Sequence, residues 1–194
     1  MSTNHVAFAP SAYRYPLLVK HLLHYPLVHA PDQEIVYRDL RRHSYRTFRE
    51  RIGRLASALA QIGVAPGDTV AVLDWDSHRY LECYFAVPMM GAVLQTVNLS
   101  LPPEQLLFVM NDAAPSTVLI NADFPPLMEK IGDKLPSVQR YVMLHDRTEQ
   151  PTTGIRSECR YLFGRLNRLS KVHGTTPYFF VLLDGPHGDG GMKL

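Results

Sequence analysis

Gly63-Val64-Ala65-Pro66-Gly67-Asp68-Thr69-Val70-Ala71-Val72-Leu73-Asp74-Trp75-Asp76-Ser77 is the stretch that decides the fold. Gly63 stops the helical pattern before it, and Pro66-Gly67-Asp68 spells a turn. Thr69–Leu73 then runs apolar without alternation, as a strand buried on both faces of a parallel sheet does. Asp76 or Ser77 can cap a following helix through Tyr80-Leu81 and Phe85-Ala86 to Met90. Turn, buried strand and capped helix make the first half of a βαβ unit.

The same grammar extends both ways. Upstream, Ser44 is a helix cap, after which Phe48, Ile52, Leu55, Ala56 and Leu59 recur at helical spacing with arginines opposite. Glu34–Tyr37 reads as a short strand, and residues 16–30 as a short apolar helix interrupted at Pro26. Downstream, Gly91 ends a helix and Ala92–Val97 is a strand. Pro102-Pro103-Glu104 opens a helix to about Asp112, Thr117–Ile120 is a strand, 125–134 a helix and Tyr141–Leu144 a fourth strand. Strands and helices alternating every ~25 residues predict an α/β fold: a parallel β-sheet flanked by helices on both faces.

That order fades after Arg147. Residues 1–147 are expected to form one structural unit, and 148–194 an atypical, poorly ordered tail. Gln150–Gly154 is linker-like, 155–172 is weakly helical in pattern around Leu162, Leu166 and Leu169, and Gly185–Leu194 is rich in glycine. From Ile155 onward there are six Lys/Arg against three Asp/Glu, which leaves the preceding 154 residues at about −1.

Of 194 residues, 46% are apolar and 20% charged, which supports a packed core. The net charge of +2 is too small to argue for nucleic acid or an anionic membrane. Cys83 and Cys159 are the two cysteines and give no disulfide framework, as in a reducing compartment. The N-terminus has no signal-peptide pattern. Apolar stretches such as Tyr84–Leu94 are far short of the ~20 residues of a membrane span. A cytoplasmic protein without a transmembrane segment is expected, with peripheral membrane contact left open.

Motifs for autonomous chemistry are few. His21 and His24 share a helical face, yet two histidines cannot close a metal site and no Cys, Asp or Glu cluster completes them. Asp74-Trp75-Asp76 follows a strand, where α/β sheets bind ligands, although a loop with a helix cap accounts for it more simply. Cys83 lies in an apolar helix and reads as a core residue rather than a nucleophile. Gly174-Thr175-Thr176 and the run from Gly185 to Gly191 lack the Lys-Ser/Thr and the following helix of a phosphate-binding loop; Lys193-Leu194 supplies neither.

Taken in order, several stretches together resemble the N-terminal segment of the adenylate-forming (AMP-binding) family of acyl-CoA synthetases, luciferases and adenylation domains. They are Tyr45-Arg46-Thr47-Phe48 with Arg54–Leu59, Gly63–Leu73, Tyr80–Pro88, Gly91-Ala92-Val93 and Asn98–Leu101. Val93-Leu94-Gln95-Thr96-Val97-Asn98-Leu99 looks most like the branch for medium- and long-chain fatty acids. The resemblance implies the N-terminal subdomain of the adenylate-forming enzyme fold. It also implies a reaction in which a carboxylate attacks ATP to give an acyl-adenylate, and coenzyme A then displaces AMP. The family's phosphate loop of the type T-S/T-G-T-T-G-x-P-K-G, its nucleotide-binding motifs and its C-terminal lysine have no counterpart in this sequence. The resemblance therefore assigns no catalytic, cofactor-binding or metal-ligating residue here. Fatty acid, ATP, Mg²⁺ and CoA are partners of the full-length family, and these residues are expected to bind none of the cofactors. The expectation is an inactive fragment of a fatty-acid–CoA ligase. The alternatives are a non-catalytic module that associates with itself or a full-length homologue, and a stand-alone nucleotide-binding protein that lacks its phosphate loop.

The loss of resemblance past residue 147 motivates a hypothesis of translation in a shifted frame. Read from the third base of the His173 codon, the degenerate codons of His173–Gly185 permit Trp-Asp-Asp-Ala-Leu-Phe-Phe-Cys-Thr-Thr-Gly, which resembles the approach to the family's phosphate loop. Sequencing the gene tests this: a one- or two-base shift should restore a T-S/T-G-T-T-G motif, and its absence in every frame refutes the hypothesis.

Overall fold

A computed structural model describes residues 9–11, 15–145, 159–160 and 179–184. A 3-10 helix, Val19–Leu23, leads into α1 (His24–His29). The hairpin β1 (Glu34–Tyr37) and β2 (Arg41–Ser44) comes next, then α2 (Tyr45–Gln61), β3 (Thr69–Leu73), α3 (His78–Met89) and β4 (Val93–Thr96). They are followed by α4 (Pro103–Ala113), β5 (Thr117–Asn121), α5 (Pro125–Ile131) with a 3-10 turn Gly132–Lys134, and β6 (Arg140–His145). The segment read as a tail contributes β7 (Cys159–Arg160) and β8 (Phe179–Asp184). The rest of that segment, including the glycine-rich stretches, lies outside the described residues.

The larger sheet has the order β4-β3-β5-β6-β8-β7. Its first four strands are parallel, whereas β8 runs antiparallel to β6 and β7 antiparallel to β8. The chain steps one way from β3 to β4, then reverses across β3 to β5 and β6. Right-handed crossovers must therefore put α3 on one face and α4 and α5 on the other. The cores agree. Val70, Val72, Leu119 and Val142 pack with Phe48, Ile52, Leu55 and Leu59 of α2 and with Cys83, Ala86 and Val87 of α3. Ala71, Leu73, Val118, Ile120 and Met143 face Leu106 and Met110 of α4 and Met128 and Ile131 of α5. The period-2 alternation of three strands thus builds two cores at once.

Two readings of the N-terminal half change. The helical segment 16–30 is not interrupted at Pro26. It changes type between Leu23 and His24, leaving Pro26 in the first turn of α1, where a missing N–H costs no helical hydrogen bond. β2 was not anticipated, because Arg41-Arg42-His43-Ser44 has no apolar alternation. Its pairing with β1, from Glu34 opposite Ser44 to Tyr37 opposite Arg41, makes it a strand.

The turn that opens β3 explains why its residue types recur together. Asp68 N–H donates to the Ala65 carbonyl at 3.1 Å, with Gly67 at φ 89° as a Pro-Gly turn requires. The Asp68 carboxylate accepts from Ala65 N–H at 2.9 Å. Gly67 N–H donates to the Gly91 carbonyl, and a Cβ on Gly91 would stand 3.1 Å from Pro66 Cβ. Gly91 itself, at φ 87°, ends α3: its N–H reaches Pro88 and the Ala92 N–H reaches Val87, satisfying the last carbonyls.

Between α2 and α3 lies a buried ion pair. Arg51 Nε meets Glu82 Oε1 at 2.5 Å, with side chains 6% and 0% exposed. Desolvating the two ions costs several kcal/mol each and the attraction largely offsets this. The surrounding Ile52, Leu55 and Leu59, each worth about 1.5–3 kcal/mol on burial, hold the helices together. Loss of one partner by Arg51→Ala should therefore cost about 3–5 kcal/mol in urea unfolding. The double replacement Arg51→Met with Glu82→Leu should recover most of that loss, and a double variant no more stable than the single one would refute the assignment.

Candidate functional site

Reversal of strand order at β3 creates a switch point between β3 and β5, and open α/β sheets bind ligands beyond the carboxyl ends of strands at such a point. Two segments meet there: Asp74-Trp75-Asp76-Ser77 after β3, and Asn121-Ala122-Asp123-Phe124 at the end of β5.

Asp74 is the centre of the constellation. Its side chain is fully buried and accepts hydrogen bonds from the Ser77 hydroxyl and the Asn121 amide. Arg79 Nε lies 3.8 Å from the same carboxylate. Burial pushes the Asp74 carboxyl above its ordinary range, while the bonds from Ser77 and Asn121 and the charge of Arg79 pull the other way. Ser77 is the helix cap, since its oxygen accepts from Tyr80 N–H at 3.3 Å. Of the two residues proposed from sequence, Ser77 takes the cap and Asp76 stays exposed.

A second layer lies outside the first. The Trp75 indole N–H donates to Asp123 at 2.9 Å, and its ring lies 4.8 Å from that of Phe124. Asp123 N–H in turn donates to the Asn121 side-chain oxygen at 3.0 Å. The two strand ends are thus stitched together twice, by a buried polar cluster and by a half-exposed aromatic layer.

The arrangement suits a structural clamp better than a phosphate cradle. The lone pairs of Asp74 are engaged by Ser77 and Asn121, which leaves it poorly placed to ligate a cation. Asp76 and Asp123 are exposed at the rim and would repel a triphosphate. The glycines with positive φ, Gly63, Gly67 and Gly91, all precede β3 or β4 at the opposite end of the sheet. Among the described residues the switch point therefore holds no glycine-rich phosphate loop.

Other candidates are placed apart. His21 lies in the 3-10 helix with its ring 5.0 Å from Tyr15, and His24 opens α1. Among the described residues no three or more of His, Cys, Asp and Glu converge as a metal site. Cys83 is 1% exposed, and burial pushes its thiol far up, so it is a core residue. Sequence reasoning missed Asn121 and Arg79. The signal available for Asn121 was an amide ending an apolar strand, where a buried polar group needs a partner.

A family model described as "AMP-binding enzyme" matches residues 27–178. A long-chain-fatty-acid–CoA ligase from Thermus thermophilus is 37% identical over 112 residues, covering 58% of this chain and 21% of the relative. A 3-methylmercaptopropionyl-CoA ligase from Ruegeria lacuscaerulensis is 32% identical over 138 residues, covering 69% and 26%. Among solved structures, a protein described as a long-chain-fatty-acid CoA ligase from Rhodopseudomonas palustris superposes with a TM-score of 0.60 at 30% identity, covering 68% of this chain and 33% of that one. The match thus spans about a fifth to a quarter of the length of these curated relatives. The sheet flanked by helices is the fold of the N-terminal part of adenylate-forming enzymes.

The clamp makes a prediction about stability and pH. The folded-state pKa of Asp74 lies above its unfolded value of about 3.9. The associated stabilisation is complete below that value and is lost as pH rises through the folded pKa. Asp74→Asn keeps the shape, and its amide can turn to offer oxygen to Asn121 and nitrogen to the Ser77 oxygen. In urea unfolding from pH 3 to 7, wild type should lose stability relative to this variant as pH rises, then level off. A gap that is constant with pH would overturn the burial argument.

Proposed function

This chain belongs to the AMP-binding enzyme family, and on that premise we propose that it is the N-terminal part of a fatty-acid–CoA ligase that does not form an adenylate by itself. The observation that carries the reading is the family match over most of the chain, combined with a switch point that offers no phosphate cradle. The relatives named above act on a long-chain fatty acid and on a sulfur-containing short acid. Activation of a carboxylic acid is their common denominator. The sequence of Val93–Leu99 favours the fatty-acid side.

The physical case is one of charge. A carboxylate is a poor electrophile, and its activation needs a held triphosphate, Mg²⁺ and a cation near the developing charge. When bound to a complete family member, ATP supplies the leaving group that makes the acyl carbon reactive. The role of these residues is to position: α2, α3 and the clamp hold part of the scaffold against which the remaining parts of such an enzyme assemble. A cytoplasmic location belongs to the same proposal.

A second reading has its own observation. Phe108 of α4 is 74% exposed and Val93 of the edge strand β4 is 53% exposed. Apolar surface of this kind, on a helix and on the strand that ends the sheet among the described residues, favours association with another copy or a full-length homologue. It makes the chain a non-catalytic interaction module.

Two measurements separate these readings. The purified chain mixed with ATP, Mg²⁺, a fatty acid and CoA should release no pyrophosphate above background, and turnover would overturn the proposal. Light scattering during size-exclusion chromatography should give a dimer that Phe108→Asp dissociates if the module reading holds, whereas a clean monomer counts against it.

A further inference from the structure

We draw no further inference here: the strongest candidate, the ring cluster of Tyr37, His43 and His78 that seats the β1–β2 hairpin on the start of α3 with the two imidazoles 5.7 Å apart, is a packing contact to which nothing in the structure assigns a ligand, and it shares α3 with buried charges of both signs, Arg79 and Glu82, so that no direction of response to pH follows from it.

Discussion

Val70, Ala71, Val72 and Leu73 are all fully buried, and that single constraint organises the chain. A strand with no exposed face must be covered on both sides, and its neighbours must come from crossovers rather than hairpins. Stepping to β4 with α3 and then reversing to β5 with α4 meets the requirement, since each crossover lays its helix on a different face. The two cores are therefore consequences of one strand. So is the gap at the carboxyl ends of β3 and β5, where the chain departs in opposite directions.

That gap needs closing, and Asp74 shows how it is closed. A carboxylate there would be destabilising unless its oxygens were met, and Ser77 and Asn121 meet them from the two sides of the gap. The same serine caps α3, so helix start and strand spacing are fixed by one hydroxyl. Trp75 and Phe124 then shield the polar cluster, with Asp123 tying the indole in place. Such a network is worth most when every member is satisfied, which is why it reads as a clamp and not as a poised catalytic group.

Much of the fold was legible because local and tertiary signals coincide. Phe48, Ile52, Leu55 and Leu59 mark the buried face of α2 in sequence and occupy it in the structure. Thr69–Leu73 is a strand by composition and by pairing. What escaped is what only tertiary contact decides. Arg41–Ser44 is extended because β1 lies beside it, not because its residues favour a strand. At the candidate site the carboxylate and its cap were visible in Asp74–Ser77, while Asn121 lies 47 residues away and is joined to them only by the sheet order. Arg51 and Glu82 escaped for the same reason, as a charge on a helix is ordinarily read as its solvent side.

The residues that reveal the family are scaffold residues, and their chemistry explains why. Pro66, Gly67, Asp68 and Gly91 are held to their types by a turn, a positive φ, a carboxylate bond to Ala65 and a close approach between Pro66 and Gly91. None of these demands involves a ligand. They lie at the amino ends of β3 and β4, where the sheet is entered, whereas carboxylates gather at the carboxyl ends. Among the described residues the switch point shows exposed Asp76 and Asp123 and no run of left-handed glycines of the kind that wraps a polyanion. The kinship of this chain thus rests on residues whose types are fixed by the demands of the scaffold.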